Sequence, residues 1–406
     1  MDTQDVSINK PKDLKAVDKE GGLDAMKTLN LDSKGIVIGK GSLEYLTQVN
    51  YKKAMIVTGG QSMLKWGVID RVKKYLQNSQ CEVVVYSGIA KNPTTQAIMR
   101  GLEYMRAQQP DLVLAVGGGS AIDAAKMMTL FYEFPHLTFE NVLSSTLPHE
   151  REKVGFIAVP STSGTGTEVT HVAVFTDTEK NKKIALKTLA LKPDIAILDV
   201  DITMTMPKNI ASETGMDALT HAIEAYTNPG LDDFNEVIAR GAIEGIISWL
   251  PESFETASEA SREKVHYYQS MAGIAFANVG LGMVHGISHA FGAIYDLAHG
   301  IANAIILPYV MDYNSRDAGV RTKFERLSKY IGCENIVVEI KRLKEKLEIP
   351  YSFYEMGLEE DRFLGDFDEI LDHSMTGATA LNPVEMTRGE MEKVIKAVYY
   401  GREITN

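Results

Sequence analysis

The sequence predicts a two-part fold: an α/β domain with a Rossmann-like, doubly wound parallel sheet, then an all-α domain. Three observations carry the prediction. Up to about residue 205, short apolar runs alternate with amphipathic stretches; after 206 the β-rich runs fade; and long helical segments take their place.

The apolar runs are Ala54–Thr58, Glu82–Tyr86, Leu112–Val116, Gly155–Val159 and Asp194–Leu198. They lack strict alternation, as strands do when a parallel sheet is covered on both faces. Ser62–Gln77, Thr94–Gln108 and Ala121–Phe131 have helical periodicity between them, and strand–helix–strand repetition is the mark of a doubly wound sheet. The second half offers helices at Ala211–Tyr226, Asp233–Ser248, Glu263–Asn278, Val284–Tyr295, Gly319–Tyr330, Val337–Lys346 and Arg388–Tyr399. Pro229-Gly230, Pro308 and Pro350 are expected to bound several of them. The expected division is a leader or peripheral segment at 1–34, an α/β domain at 35–205 and a helical domain at 206–406.

Composition narrows the function classes. Hydrophobic residues make up 45% and charged residues 24%, an ordinary globular balance. Against 42 basic side chains stand 54 acidic ones, a net of −12 whose field repels nucleic acid and anionic membranes while leaving room for a local phosphate pocket. Cys81 and Cys333 are the only cysteines, too few for a disulfide framework, so a reducing compartment is expected. No apolar run approaches a membrane span, and MDTQDVSINKPKDLK has no apolar signal core. The expectation is a soluble cytoplasmic protein.

Three segments carry chemistry. In Leu112–Lys126, an apolar strand runs into Gly117-Gly118-Gly119-Ser120 and a helix begins at once. Glycines there let backbone N–H groups approach a pyrophosphate at a helix N-terminus, although a tight βα turn in any α/β protein would look similar. The pattern is not GxGxxG, so the ordinary Rossmann fingerprint is absent. The second segment, Val159–Thr170, follows a strand and offers Ser161, Thr162, Ser163, Thr165 and Thr167 as hydroxyl donors, or else is a surface loop.

The third is the sharpest. Asp217 and His221 stand four apart on one helix face, and Gly282–Gly300 contains His285, His289 and His299. With nine histidines in 406 residues, the 15-residue window 285–299 should hold about a third of one, yet it holds three. Clustered imidazoles with a carboxylate suit a divalent transition metal. Five candidates compete for a site that usually takes four; spacing pairs His285 with His289 and leaves His299 open.

GGGSAIDAAK (117–126), STSGTGTEVT (161–170), GMDALTHAIEAY (215–226) and HGISHAFGAIYDLAHG (285–300) strongly resemble the iron-containing, or group III metal-dependent, alcohol dehydrogenases. The similarity runs from about residue 35 to the tail ATALNPVEMTRGEMEKVIKAVYYG (378–401). The resemblance implies a dehydroquinate synthase-like fold with the active site between the two domains. It implies Asp217, His221, His285 and His299 as metal ligands, with His289 beside the nicotinamide and substrate as the candidate for proton delivery. It also implies cofactor contacts from Asn92, Gly118, Gly119, Ser120, Asp123, Ser161, Thr162, Thr165 and Lys183. Ser161 and Ser163 replace the more usual Thr and Ala, and Thr167 the more usual Ser; all stay small.

The implied reaction interconverts primary alcohols, or short diols, with aldehydes, using NAD(P)(H) and a metal that polarises the carbonyl oxygen. Fe(II) is the implied metal, with Zn(II) the alternative because intrinsic affinity favours it. After Ala54–Thr58 comes Gly59-Gly60-Gln61-Ser62, with no acid between Ala54 and Gly67. NAD-preferring members carry an aspartate in this turn, so Gly59, Gly60 and Ser62 favour NADP(H) over NAD(H). Homo-oligomers, dimers or larger, are implied too. The rivals are a glycerol dehydrogenase-like enzyme of the same superfamily, which His221 and the tail disfavour, and a non-catalytic dinucleotide- or metal-binding protein.

Overall fold

The computed structural model describes residues 34–178 and 182–404; the expected leader, Lys34 apart, lies outside the described residues. Eight strands form: β1 (Gly35–Ile38), β2 (Lys53–Thr58), β3 (Glu82–Tyr86), β4 (Leu112–Gly117), β5 (Gly155–Pro160), β6 (Val172–Asp177), β7 (Lys182–Lys187) and β8 (Ile195–Leu198). Six make one parallel sheet in the order β1-β8-β5-β4-β2-β3, and β6 and β7 form a separate antiparallel pair. Four helices accompany them: α1 (Ser62–Lys65), α2 (Val68–Asn78), α3 (Thr95–Gln108) and α4 (Gly119–Glu133).

Side chains along each strand alternate between two apolar layers. Met55, Val57, Val113, Ala115 and Phe156 join the layer of α3 and α4, whereas Ala54, Ile56, Leu112, Leu114 and Ile157 join that of α2. Burial on both faces explains why the strands read as unbroken apolar runs. β2 leads outward to β3 while its neighbour β4 leads the other way to β5. Opposite departures open a crevice between their carboxyl ends, which is where open α/β sheets bind ligands. Thr58 Oγ1 ties the two ends by donating to the Val116 carbonyl at 2.7 Å.

The helical half comprises α5 (Val200–Thr203), α6 (Lys208–Thr227), α7 (Asp233–Glu255), α8 (Glu259–Val279), α9 (Met283–Tyr295), α10 (His299–Asn314), α11 (Ala318–Ile331), α12 (Ile336–Lys346), α13 (Glu360–Gly365), α14 (Phe367–Ser374) and α15 (Arg388–Tyr400). Its core draws on every helix from α6 to α15. Among the described residues no single helix is long and apolar enough to cross a membrane.

Several elements differ from expectation. The predicted helix Ser62–Gln77 is two helices, because Gly67 takes φ 69°, in the left-handed region, and breaks the run. Pro308, expected at a helix end, lies inside α10, and α7 continues past Pro251. Both helices are held by burial in the core, which outweighs the lost backbone donor. β1, the β6–β7 pair and α10 were not legible: β1 is four residues long, β6 and β7 mix polar and apolar positions, and α10 is apolar on nearly all sides.

The two halves meet through the loop after β5. Gly166 and Gly273 of α8 approach so closely that a side-chain carbon on Gly166 would lie 2.6 Å from the Gly273 Cα. Around this contact Gly166 N–H donates to Gln269 Oε1 at 2.9 Å, and Ser163 Oγ pairs with His266 Nδ1 at 3.0 Å. Buried Glu168 accepts from Gln269 Nε2 at 2.6 Å and from the Ser270 hydroxyl.

Candidate metal centre and dinucleotide cleft

Asp217 and His221 occupy successive turns of α6, His285 the first turn of α9, and His299 the first position of α10. One donor atom from each of the four lies within 4.8 Å of the others. Asp217 and His285 are buried, at 2% and 1% exposure, so water does not hydrate this cluster from behind. The rings pack closely: His221 is stacked on Phe276 at 4.5 Å and on His285 at 4.6 Å, and His285 is tilted against His299 at 5.1 Å between centroids.

Neighbours fix the ring orientations. Glu224, one turn beyond His221, pairs with His285 Nδ1 and accepts the Val284 N–H at 2.7 Å. Ser288 Oγ pairs with His299 Nδ1 at 3.2 Å. With both Nδ1 atoms engaged, both Nε2 atoms turn toward Asp217, the arrangement that carboxylate or hydroxyl partners impose on metal-binding histidines. Burial holds His285 and His299 well below their ordinary pKa, keeping both imidazoles neutral with a lone pair to give. Burial also raises Asp217 and pushes Glu224 up to about 7, against the backbone N–H groups of Gly282 and Val284. Carboxylates and neutral imidazoles gathered out of water favour a positive charge among them, and His221 Nδ1 is buried with no hydrogen-bond partner. The donor set fits a divalent ion such as Fe(II) or Zn(II).

His289 lies one turn beyond His285, with its ring 5.1 Å from His299 and stacked on it, but it is not among the four converging donors. The pairing of His285 with His289 suggested by spacing is therefore not the one the fold makes. Burial, then Lys183, lowers its pKa to about 4. Lys183, on β7, brings Nζ to 3.5 Å from where a side chain on Gly292 would begin.

At the crevice, Gly59 and Gly60 follow β2 and Gly118 caps α4 after β4. A side chain on Gly119 would press to 2.8 Å from Thr165, and one on Gly118 would touch Thr162 at 3.6 Å. The α4 N-terminus, Thr162 and Thr165 thus line one surface, joined by Ser161, whose N–H donates to the Gly117 carbonyl at 2.9 Å. Around Gly60 a side chain would meet nothing within 4 Å, and Ser62 is exposed. Lys65 sits over the exposed Trp66 ring at 5.9 Å.

The five hydroxyls of the loop after β5 divide. Ser161, Thr162 and Thr165 remain partly exposed, whereas Ser163 and Thr167 are buried and bonded inward. Thr167 Oγ1 donates to Asp123 Oδ1 at 2.6 Å, and Asp123 Oδ2 accepts the Val174 N–H at 3.1 Å. Both Asp123 oxygens accept hydrogen bonds from the protein, so the carboxylate braces the loop after β5 against β6. Asn92 donates to Asp296 Oδ1 at 3.1 Å, linking the loop after β3 to the residue that ends α9.

Sequence reasoning missed Glu224, Asn303 and Asp296. Glu224 stands three residues after His221, and Asn303 four after His299, so helical spacing from each expected ligand could have found them.

The family model for iron-containing alcohol dehydrogenase matches residues 33–200, and that for the C-terminal part of the same family matches 211–399. An NADPH-dependent butanol dehydrogenase of Clostridium saccharobutylicum is 41% identical over 382 residues, covering 91% of this chain and 98% of its own. An alcohol dehydrogenase of Thermococcus barophilus is 35% identical over 375 residues, 90% of this chain and 97% of its own. Among solved structures, an iron-containing alcohol dehydrogenase from Thermococcus thioreducens superposes with a TM-score of 0.86 at 33% identity, over 93% of this chain and all of that one. A 1,3-propanediol oxidoreductase gives 0.85 at 29% identity, over 92% of this chain and 100% of that one.

Proposed function

The chain belongs to the iron-containing alcohol dehydrogenases, and from that premise we propose that it reduces small aldehydes to primary alcohols or short diols with NADPH, reversibly. Membership makes it an oxidoreductase acting on small molecules. The convergence of Asp217, His221, His285 and His299 on one point carries the mechanistic reading. These four residues would hold Fe(II), or Zn(II) where zinc competes successfully. When bound, the metal supplies Lewis-acid polarisation of the carbonyl oxygen, and the nicotinamide supplies the hydride.

The chain's own residues do the rest. Glu224 and Ser288 hold His285 and His299 in one tautomer, so their donor atoms need no reorganisation during turnover. Gly118, Gly119, Ser120, Ser161, Thr162 and Thr165 bind the pyrophosphate and neighbouring groups at the start of α4. Gly59, Gly60 and Ser62 leave space for a 2′-phosphate. Lys183 orients the ribose, and Asn92, through Asp296, fixes the loop beside it. His289 delivers the proton to the product oxygen, and as a neutral ring it acts as a relay rather than as a stored imidazolium. The two-domain division at 205/206, a cytoplasmic location and a homo-oligomeric state belong to the same proposal.

The test is loss of NADPH absorbance against a panel of aldehydes, before and after chelation and dialysis, and after returning Fe(II) or Zn(II). Activity should vanish on chelation and return with metal. His299→Ala should lose both metal and turnover while keeping a folded sheet. Undiminished activity after metal removal would overturn the reading.

A further inference from the structure

We propose that Asn303 gates the metal centre: its side-chain amide competes with a cation for the lone pairs of His285 and His299, two of the four donor residues, and must turn before the site loads. The inference rests on the metal reading above and assigns a role to a residue outside the ligand set.

Asn303 is fully buried on α10, one turn beyond His299. Its Nδ2 lies 2.7 Å from Asp217 Oδ1, 3.1 Å from His299 Nε2 and 3.2 Å from His285 Nε2. Two N–H protons thus face three acceptors, so at least one proton is shared. The acceptors are the lone pairs that Glu224 and Ser288 free for a cation by engaging the opposite ring nitrogens. A lone pair that accepts an N–H cannot bind a cation at the same time. An imidazole acceptor nitrogen has a single lone pair, so loading breaks the contacts to His285 and His299, whereas the Asp217 oxygen has a second lone pair.

At the other end of the amide, Asn303 Oδ1 is buried and has no hydrogen-bond partner, an arrangement that costs free energy. A half-turn of the amide exchanges Nδ2 and Oδ1. It would set the carbonyl oxygen beside the Asp217 carboxylate, which is repulsive unless positive charge lies between them. The two orientations answer two states of the donors: N–H inward when only lone pairs are present, and C=O inward when a cation is among them. Asn303 thereby keeps the unloaded donors paired and slows and weakens metal capture.

Chelator-stripped wild type, Asn303→Ala and Asn303→Ser are titrated with Zn(II) against a chromophoric chelator, and uptake is followed by stopped flow. Neither replacement reaches three donors, and serine offers a polar alternative where alanine does not fold. The expected result is faster uptake and roughly three- to tenfold tighter Zn(II) binding, the factor that losing one net hydrogen bond gives. The stripped variants should also melt at lower temperature than stripped wild type. Uptake and affinity equal to or below wild type would overturn the gate and make Asn303 a support of the loaded site. Failure of wild type itself to bind Zn(II) would sink the metal reading, a result distinct from wild-type binding with unaltered variants.

Discussion

His289 shows how far one residue's neighbours decide its chemistry. It shares α9 with His285, and spacing alone makes it the better partner. Helical spacing fixes which residues share a face, but not which ring nitrogen a neighbour engages. Glu224 turns His285 toward Asp217, and Ser288 turns His299 there, while His289 packs against His299 beside the cluster. A ring in that place can touch a reacting group without holding the metal. His289→Ala should therefore keep its full metal content, measured by elemental analysis, while kcat falls by about 10²- to 10⁴-fold, the range for lost acid–base catalysis. Metal loss in this variant would make it a ligand, and an unchanged kcat would return it to packing.

Close approach between elements is what turns a spacing pattern into a site. α10 can bring His299 to Asp217 because Gly300, the next residue, lies against the α6 backbone: a side-chain carbon there would sit 2.4 Å from the Glu213 carbonyl oxygen. A backbone atom cannot move aside as the end of a flexible side chain can. Gly300→Ala should push α10 away from α6, costing about 1–3 kcal/mol of stability through overpacking. Displacing His299 should also weaken metal affinity by tenfold or more. Wild-type Zn(II) affinity in a stably folded Gly300→Ala would show that this contact does not set the site. The glycine was visible in the HG motif, but its neighbour on another helix was not. The same limit separates legible from illegible elements elsewhere. The buried strands Ala54–Thr58 and Leu112–Val116 stood out because burial on two faces makes them uniformly apolar. β6 and β7 did not, because Lys183 and its neighbours mix polar with apolar positions in a small two-stranded sheet. The loop after β5 and β6 both fold onto the Asp123 carboxylate, a long-range event that no local pattern records.

At the scale of the whole molecule, cofactor choice depends on where the sheet's topology leaves open space. β2 and β4 are neighbours whose chains depart in opposite directions, so Gly59-Gly60 and Gly118-Gly119 face one crevice although about sixty residues separate them. The α4 N-terminus places its partial positive charge on the β4 side, suited to pyrophosphate. In the proposed binding mode the β2 side is left for the adenosine ribose. There a carboxylate would accept hydrogen bonds from the 2′-hydroxyl and repel a 2′-phosphate, but the turn holds Gly60, with open space around it, and the exposed Ser62. Lys65 adds positive charge close by, resting over Trp66 at the surface. Nothing in this turn repels a phosphate, so NADPH should be preferred; measuring kcat/KM for both cofactors decides it, and a tenfold or larger preference for NADH would defeat the assignment. Gly60→Asp supplies the missing carboxylate without a steric clash and should move the ratio toward NADH by tenfold or more, the scale of about 1.4 kcal/mol of discrimination. A ratio that stays put would mean that the ribose lies elsewhere, and that β2 and β4 do not together define the adenosine end of the cleft.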